Sequence, residues 1–563
     1  MLYILISWFF MFFISLNFSL ALENIINISY SNMFTQHLLG LFLYMIAIWI
    51  AAFFIPINGA FYLSILIINT ILFFKYRSDV FDHIKKIKKS VKNWSFVYRC
   101  LFICIAFILL TQSSTAPYLL DNESYYIQSI KWINEYGFVK GLANLHLFFG
   151  QTSGWHILQS GLNFYPITDL LNDLNGYVLL LFSFISIEKL SVYTKEKIEF
   201  AFIFGVLFFF AFLMQFINTP SPDIPIFLLC SILFYLFIIR FKNINSKQFT
   251  EVLCLSLMVC TIKVTAAIMV IIPIFLFLKH YSNVKSFTTT YSILCIVPAV
   301  LFILKNYIIS GYILYPLTSI DIFSPDWKQP NILISEYGKF TYLCGFNNIP
   351  LDDLNKLSLL EKVKFWLTIP KLHSIFNIFY SLLIVLAPFI ITLKKHTNTY
   401  WILYLICVSQ LILIWHLSPQ YRFFFMGIIF LSIFVFISLI KSKKIILVII
   451  TTSVIASYIP VFIPIDLNKI STNKFNLSLN TFSLNNLIKP SGISKIKEYK
   501  LNSYNNFEFY SPANEDFPFS TGNGKLPTSN EVLIKYIDKH YQYIPRKRTH
   551  LLKDGFKSVK TNN

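Results

Sequence analysis

The chain has 563 residues, of which 56% are hydrophobic and only 13% are Asp, Glu, Lys or Arg. Typical globular domains carry roughly 25% charged residues, so this composition cannot cover a soluble chain of this length and excludes a soluble enzyme, a disordered chain and a disulfide scaffold. The formal charge of +20 would suit a nucleic-acid binder, but the apolar content favours a protein whose partner is a lipid bilayer, with no nucleic acid.

Apolar runs long enough to cross a bilayer, which takes about 20 residues, recur along the whole chain. The first run, Met1 to Ala21, lacks the basic start and the cleavage site of a signal peptide and is predicted to be a span. The run at 250–280 carries Lys263 near its middle and is either one tilted helix or a hairpin of two short helices. The remaining runs lie at 36–55, 58–74, 99–116, 174–190, 199–217, 223–240, 287–305, 374–393, 399–416, 422–440 and 444–463. Together they predict an all-α polytopic transmembrane bundle of about 13–14 helices.

Basic residues set the predicted orientation, because Lys and Arg concentrate in short cytoplasmic loops. The segment 75–99 holds eight of them and is predicted to be cytoplasmic. Alternation from there keeps later basic residues inside only if 250–280 is a hairpin, so the hairpin is favoured. These later residues include Lys279, Lys285, Lys394, Lys395, Lys441, Lys443 and Lys444.

This topology predicts three parts in a multi-pass membrane protein. Residues 1–98 are membrane helices with a basic cytoplasmic loop, 99–463 form the main transmembrane module, and 464–563 form a polar tail. The tail and the two long loops, at 117–173 and 306–373, are predicted to be extracytoplasmic.

The first long loop carries the sharpest chemical signal. Asp121 and Glu123 directly follow a span and open an amphipathic helix of about 15 residues, which suits a membrane interface. A carboxylate at this depth can take a proton from an acceptor hydroxyl. Capping of the helix start by Asp121 is the ordinary alternative, and the two interpretations are compatible.

The same loop holds aromatic, amide and imidazole groups. Trp132 and Trp155 fit an interfacial aromatic belt. His146 and His156 are interpreted first as surface or hydrogen-bonded loop histidines, with substrate binding as the alternative.

Further polar residues stand at or near the ends of other spans. Asp223 follows a Pro-rich turn and suits a helix start. Lys263 lies within an apolar run, where a charge needs a partner or a polar cavity, and it could bind a lipid phosphate. Arg422 opens a span and could either grip a phosphate or anchor the helix end. Lys305 directly precedes the second long loop, and Asp326 lies within it.

This arrangement resembles the GT-C superfamily of glycosyltransferases, which use polyprenyl-phosphate-linked sugars outside the membrane. A closer resemblance is to a family of uncharacterised bacterial polytopic proteins, carried by the stretches DNESYYIQSIKWINEYGFVKGLANLH, SPDIP, KNYIISGYILYPLTSIDIFSPDWK and SPQYRF. By this resemblance Asp121 matches the first-loop acid. Tyr126, Phe148 and Phe149 depart from the family pattern, which often has His or Arg there. Other positions within the shared pattern are Tyr125, Trp132, Asn144, Trp155, Asp223, Lys263, Lys305, Asp326 and Arg422.

The resemblance implies a GT-C-like fold in a bacterial cytoplasmic membrane and a transferase that moves a sugar from a polyprenyl phosphate to a glycan or lipid acceptor of the cell envelope. Asp121 would be the base, assisted by Glu123, and Lys263, Arg422 and Lys305 would hold the lipid phosphate. A divalent cation is possible, although two carboxylates are too few to define its site. The alternatives are a transporter or flippase for a lipid-linked substrate and a non-catalytic envelope protein.

Overall fold

The structure is a computed structural model that describes residues 1–393, 398–473, 475, 479, 481–514 and 517–561. Among these residues, 11 helices are long and apolar enough to cross a membrane, or up to 12 if one sharply bent pair counts as a span. The predicted helical bundle is therefore confirmed. It has fewer full-length spans than expected, because the run at 58–74 is a helix of only 17 residues and the run at 250–280 is divided into shorter helices. Lys394 and Lys395 lie outside the described residues.

The first five helices include one sharp bend. They are α1 (Leu2–Ile26), α2 (Met33–Ala52), α3 (Gly59–Lys75), α4 (Arg77–Asn93) and α5 (Phe96–Ser113). The axes of α3 and α4 differ by 81°. The bend falls where the apolar run ends and a Lys-rich amphipathic sequence begins, a composition suited to a membrane surface and not to its interior.

The first long loop is folded into short helices. A π-helical turn at Asn122–Tyr126 leads directly into α6 (Ile127–Tyr136), and α7 (Gly154–Ser160) follows. Gly137 ends α6 with a positive φ of 73°, and a Cβ added there would lie 2.4 Å from the Ala52 carbonyl oxygen. The glycine therefore permits both the backbone conformation and the close approach of the loop to the end of α2.

The middle of the bundle contains the predicted hairpin. Its helices are α8 (Leu174–Ser191), α9 (Ala201–Phe204), α10 (Phe210–Leu213), α11 (Asp223–Arg240), α12 (Ser246–Ile262), α13 (Ile271–Lys279), α14 (Tyr281–Val284) and α15 (Thr288–Ser310). α12 packs against α13, and the Ser246 hydroxyl donates to the Asn283 carbonyl at 3.1 Å. The run at 250–280 therefore enters and leaves at the same end of the bundle, with Lys263 at its tip, as predicted.

Seven further helices complete the bundle. They are α16 (Asn331–Cys344), α17 (Leu351–Lys356), α18 (Leu359–Thr368), α19 (Leu372–Leu393), α20 (Asn398–Leu417), α21 (Tyr421–Leu439) and α22 (Lys443–Phe462). α21 packs against α11, α19 and α20, so the start of α21 lies beside the start of α11. One hydrophobic core joins residues from Ile4 to Val461, so the predicted boundary at 98 does not separate two cores.

The two ends of the bundle carry different segments of the chain. One end carries the first long loop, and we call it the loop end. The other carries the short basic segments, and we call it the basic end; there Lys443 of α22 donates to the Ser191 carbonyl and Arg240 lies 3.3 Å from the Ser31 hydroxyl. The placement of these short segments opposite the first long loop matches the predicted alternation of the helices, although the long loops and the tail also carry basic residues such as Lys131 and Arg548.

The polar tail adds β-structure to the predicted all-α fold. Strands β1 (Tyr499–Tyr504) and β2 (Phe507–Pro512) form one antiparallel hairpin, and β3 (Tyr543–Lys547) and β4 (Phe556–Lys560) form a second. Helix α23 (Glu531–Tyr541) precedes β3. Side chains of this tail pack on the first loop, where Phe507, Phe509 and Phe556 share an apolar cluster with Trp132.

Candidate functional site at the loop end

Asp121 pairs with Arg422 across the loop end. Arg422 Nη1 lies 2.5 Å from Asp121 Oδ2, and the Tyr126 hydroxyl lies 3.4 Å from the same oxygen. The Asp121 side chain makes no capping hydrogen bond within the described residues, so the helix-capping interpretation is not supported. The π-helical turn that begins after Asp121 is a rare conformation that is frequent at functional sites.

A second ion pair lies beside the first. Lys263, at the tip of the α12–α13 hairpin, pairs with Asp223 in the first turn of α11, and the Ser221 hydroxyl donates to the other Asp223 oxygen at 3.2 Å. Both cations contact one aromatic ring: Lys263 Nζ lies 4.4 Å and Arg422 Cζ 5.0 Å from the centre of Phe423. We call Asp121, Asp223, Lys263 and Arg422 the paired-charge cluster.

The two pairs differ in exposure. The side chain of Asp223 is 2% exposed, whereas those of Asp121 and Arg422 are 29% and 26% exposed. The inner pair is closed off by protein, and the outer pair is open to an incoming molecule. The acid that is accessible for chemistry is therefore Asp121.

Two tyrosines of the π-helical turn border Asp121. The rings of Tyr125 and Tyr126 meet edge to face at 4.6 Å. Burial, followed by the negative charge of Asp121, raises the pKa of Tyr126 well above its ordinary value, and burial raises the pKa of Tyr125 in the same direction. Both hydroxyls therefore stay protonated beside the carboxylate and can act as hydrogen-bond donors there.

Lys305 and His156 lie behind Tyr126, one layer of side chains further from Asp121. The ring of His156 is 4.7 Å from that of Tyr126, and Lys305 Nζ donates to the Thr152 carbonyl at 2.6 Å. Burial and the nearby charge of Lys305 lower the pKa of His156 to about 3, so this imidazole is neutral. Lys305 thus adjoins the cluster through His156 and Tyr126 instead of belonging to it.

The tryptophans predicted for an interfacial belt are fully buried. Trp132 and Trp155 are both 0% exposed, so that interpretation is wrong for both. Trp155 Nε1 donates to Asn175 at 2.8 Å, whereas Trp132 packs edge to face on Phe556 of the tail. Because neither ring reaches solvent, both support the loop and do not contact a substrate.

Three predicted site residues bind the tail instead. Asn144 donates to the Trp327 carbonyl at 2.8 Å and accepts from Ser558 at 2.8 Å. His146 donates to the Phe519 carbonyl at 3.2 Å, so the interpretation as a hydrogen-bonded histidine is confirmed. The Glu123 carboxylate, 1% exposed, accepts from the Ser494 hydroxyl at 2.6 Å and from the Lys495 amide at 3.0 Å. Glu123 therefore holds the tail, which corrects its expected place beside Asp121.

Asp326 also lies in a loop–tail contact. It forms a two-point ion pair with Arg548 at 2.8 and 3.0 Å, and this guanidinium lowers the pKa of Asp326. Arg548 in turn lies over the ring of Trp327. The pair is half-exposed and joins the second long loop to the tail, so Asp326 is separate from the paired-charge cluster.

The donor set offers little for a tightly held metal ion. Within the described residues, no group of three or more His, Cys, Asp and Glu could hold one. Asp121 and Asp223 each face a cation of the protein, which competes with any metal for the carboxylate. These residues do not fit a resident divalent cation, so no step is assigned to one.

The structure adds three residues that the sequence did not single out as site members. Tyr126 was noted only as a departure from the family pattern, and Ser221 and Phe423 were not noted. Ser221 stands two residues before Asp223, and Phe423 directly follows Arg422. Proximity to a charged residue is the only signal that could have found them.

Neutral buried histidines make stability depend on pH. Burial lowers the pKa of His146 from 6.5 to about 3, so between these values the unfolded chain binds a proton that the folded chain does not. The free energy of unfolding should then fall as the pH drops through 6.5, by about 2 kcal/mol at pH 5 for one such group. Thermal unfolding of the detergent-solubilised protein at pH 7.5 and pH 5 measures this loss. His146→Gln should reduce it, and an equal loss in that variant would contradict the assignment.

These helices define a multi-pass helical membrane protein with two ion pairs at one end. Residues 1–429 match the model of the family described as a domain of unknown function, DUF8201, and the chain belongs to this family. The matched region contains the whole paired-charge cluster and ends before the tail. Comparisons with curated proteins and with solved structures gave no match.

Proposed function

We propose that this protein is an integral-membrane glycosyltransferase that moves a sugar from a polyprenyl-phosphate donor to an acceptor of the cell envelope. The observation that carries the proposal is the contact between Asp121 and Arg422, with Lys263 on the same aromatic ring as Arg422. One accessible acid and two cations are thereby concentrated at the loop end of the bundle. This transfer needs a base for the acceptor hydroxyl and positive charge for the leaving phosphate.

The outer ion pair suggests how donor binding prepares the base. A phosphate arriving at Arg422 can take two hydrogen bonds from the guanidinium and replace Asp121 there. Asp121 is then free to accept the proton of the acceptor hydroxyl. The acceptor oxygen attacks the anomeric carbon, the bond from that carbon to the phosphate oxygen breaks, and the polyprenyl phosphate leaves with its charge stabilised by Arg422 and Lys263.

The inner pair keeps the second cation in place. Asp223 is nearly inaccessible, so a donor phosphate does not readily displace it from Lys263. We therefore assign Lys263 to the electrostatic field of the site and Arg422 to direct contact with phosphate. The proposal places the loop end outside the cytoplasmic membrane and the basic end in the cytoplasm, because Lys and Arg favour cytoplasmic loops.

Membrane vesicles from cells that produce the full chain test the proposal. They are given polyprenyl-phosphate-linked glucose, mannose, galactose and N-acetylglucosamine, each labelled in the sugar. A glycosyltransferase transfers the label to a new glycan or lipid and releases polyprenyl phosphate, both read by chromatography. A transporter instead moves the label across the vesicle membrane with its lipid link intact, and an envelope scaffold does neither. Either of the last two results would contradict the proposal.

A further inference from the structure

A basic surface lies on α4, at the opposite end of the bundle from the paired-charge cluster. Six of the 17 residues of α4 are Lys or Arg, and two are Asp. α4 follows α3 at an angle of 81°. Ile67, Ile71 and Phe74 of α3 are apolar and mostly exposed, so this side of α3 faces lipid. A helix nearly perpendicular to one that runs through lipid lies along the membrane surface, here at the basic end.

The sides of α4 differ in what they contact. Val80 and Ile84 belong to an apolar cluster with α1, and the Ser90 hydroxyl donates to Glu188 of α8 at 2.8 Å. These contacts occupy the sides of α4 that face the bundle. Another side carries four exposed residues at intervals of four, three and four positions, which places them in one row along the helix. We call this row the basic stripe; its members are Phe81, Lys85, Lys88 and Lys92.

The basic stripe is held in a fixed position. Arg99 of α5 donates to the Val91 carbonyl at 3.2 Å and to the Lys92 carbonyl at 2.7 Å, which fixes the end of α4. Near the start of α4, Val80 is fully buried against α1. A partner of the stripe therefore meets a helix that is already ordered, which lowers the entropic cost of binding.

The lysines of the stripe keep their positive charge available to a partner. Lys85 pairs with Asp82 at 2.9 Å, but these side chains are 76% and 61% exposed, and an exposed pair of this kind is weak. In the part of the chain that the structure describes, no ion pair involves Lys88 or Lys92. The stripe therefore presents charge that the protein itself does not neutralise.

The position of Phe81 selects the kind of partner. Its ring lies 6.4 Å from that of Phe73 of α3, and its side chain is 53% exposed. The stripe thus begins beside the lipid-facing helix and continues along the membrane surface at the level of the headgroups. An interfacial helix with an exposed aromatic ring and a row of lysines is typical of binding to anionic lipid. A nucleic acid or an acidic protein would approach from water and would leave the exposed rings of Phe74 and Phe81 without a partner.

We propose that the basic stripe binds the phosphate groups of anionic phospholipids, such as phosphatidylglycerol, in the leaflet at the basic end. Lys85, Lys88 and Lys92 supply the positive charge, and Phe81 packs against the acyl chains. Each lysine close to an anionic membrane surface strengthens binding by about fivefold, and salt weakens this attraction. This lipid site does not depend on the proposed glycosyltransferase activity and goes beyond it.

Quenching of tryptophan fluorescence by brominated lipids tests the site. The full chain with Phe81→Trp is reconstituted in vesicles of phosphatidylcholine and phosphatidylglycerol, and an equal fraction of one lipid or the other is brominated. The signal of the introduced tryptophan is the difference from the wild-type chain, which has nine tryptophans. Its apparent affinity for phosphatidylglycerol should exceed that for phosphatidylcholine by at least about fivefold and should fall in high salt. Equal quenching by both lipids, or no quenching by either, would overturn the proposal.

Two triple variants in the Phe81→Trp chain separate the site from the effect of net charge. The stripe variant replaces the three lysines of the basic stripe by Gln and should lose the preference for phosphatidylglycerol. The tail variant removes the same charge from three exposed tail positions and should keep the preference. Its substitutions are Lys500→Gln, Lys539→Gln and Lys553→Gln. Equal preference in the two triple variants would contradict the assignment.

A measurement without the introduced tryptophan decides the outcome if Phe81→Trp does not fold. Native mass spectrometry of the detergent-solubilised full chain counts bound phosphatidylglycerol and phosphatidylcholine with the same acyl chains. The wild type and the tail variant should retain more phosphatidylglycerol than the stripe variant, and all three should retain similar amounts of phosphatidylcholine. All replaced lysines are exposed, so the thermal midpoints should stay near that of the wild type. Equal retention of phosphatidylglycerol by the three proteins would overturn the proposal.

Discussion

Asp121→Asn should lower the rate of sugar transfer by about 10²–10⁴-fold, the usual contribution of a positioned general base. Asparagine has nearly the same shape and keeps an oxygen that can accept from Arg422, which lies 2.5 Å from Asp121 in the wild type. The variant therefore loses the ability to take a proton while keeping the local contact. The measurement is the initial rate of labelled product formation in vesicles, normalised to the amount of protein in the membrane.

Asp326→Asn is the matched control for this experiment. Asp326 is also a loop aspartate in an ion pair with an arginine, Arg548, but it lies at the tail contact. It should transfer sugar at close to the wild-type rate. Equal rates of sugar transfer by Asp121→Asn and the wild type would contradict the catalytic assignment of Asp121. An equal loss of transfer rate in Asp121→Asn and Asp326→Asn would show that the effect comes from the structure of the loops.

Lys263→Met should be the most destabilising single substitution at the site. It leaves the Asp223 carboxylate, 2% exposed, without its cation, and breaking one partner of a buried pair costs about 3–5 kcal/mol. The double variant Asp223→Asn with Lys263→Met removes both charges and should recover most of that stability. Thermal unfolding of the three proteins in the same detergent checks this order.

Transfer activity separates structure from function in the same series. If Lys263 supplies positive charge to the leaving phosphate, the double variant should be stable and still slow. Recovery of the wild-type rate together with stability would show that the inner pair serves only to hold α11 and the hairpin together. A single variant as stable as the wild type would contradict the burial of Asp223.

The spans were predictable because hydropathy alone identifies segments that can remain in lipid. The hairpin at 250–280 followed from charge placement, and the contact between Ser246 and Asn283 confirms it. The bend after α3 was not predicted as a change of direction, although the apolar run ends at Lys75. The tail hairpin has a local signal in the sequence, the pair Asn505–Asn506, because asparagine tolerates a positive φ. Both residues have a positive φ in the structure, as the two central residues of a type I′ β-turn require.

The sequence predicted which charged residues belong to the site, but it did not predict which acid pairs with which base. A scarcity of charge made Asp121, Asp223, Lys263 and Arg422 conspicuous, but Asp121 and Arg422 are 301 residues apart. No local pattern states which acid meets which base, because the packing of α11 and α21 decides it. Glu123 was predicted as a site residue because it is a carboxylate close to Asp121, and Asn144 because it lies within the shared family pattern. Their tail partners, Ser494 and Ser558, were too distant in sequence to foresee.

The contact between Asn144 and Ser558 joins residues 414 positions apart. At about 5–20 residues per second, synthesis of the intervening chain takes roughly 20–80 s. Throughout that time the first loop lacks the tail residues that later cover Trp132 and Glu123. A chain that stops before the tail would therefore leave this partly apolar loop surface uncovered, including the face of Trp132 that packs on Phe556.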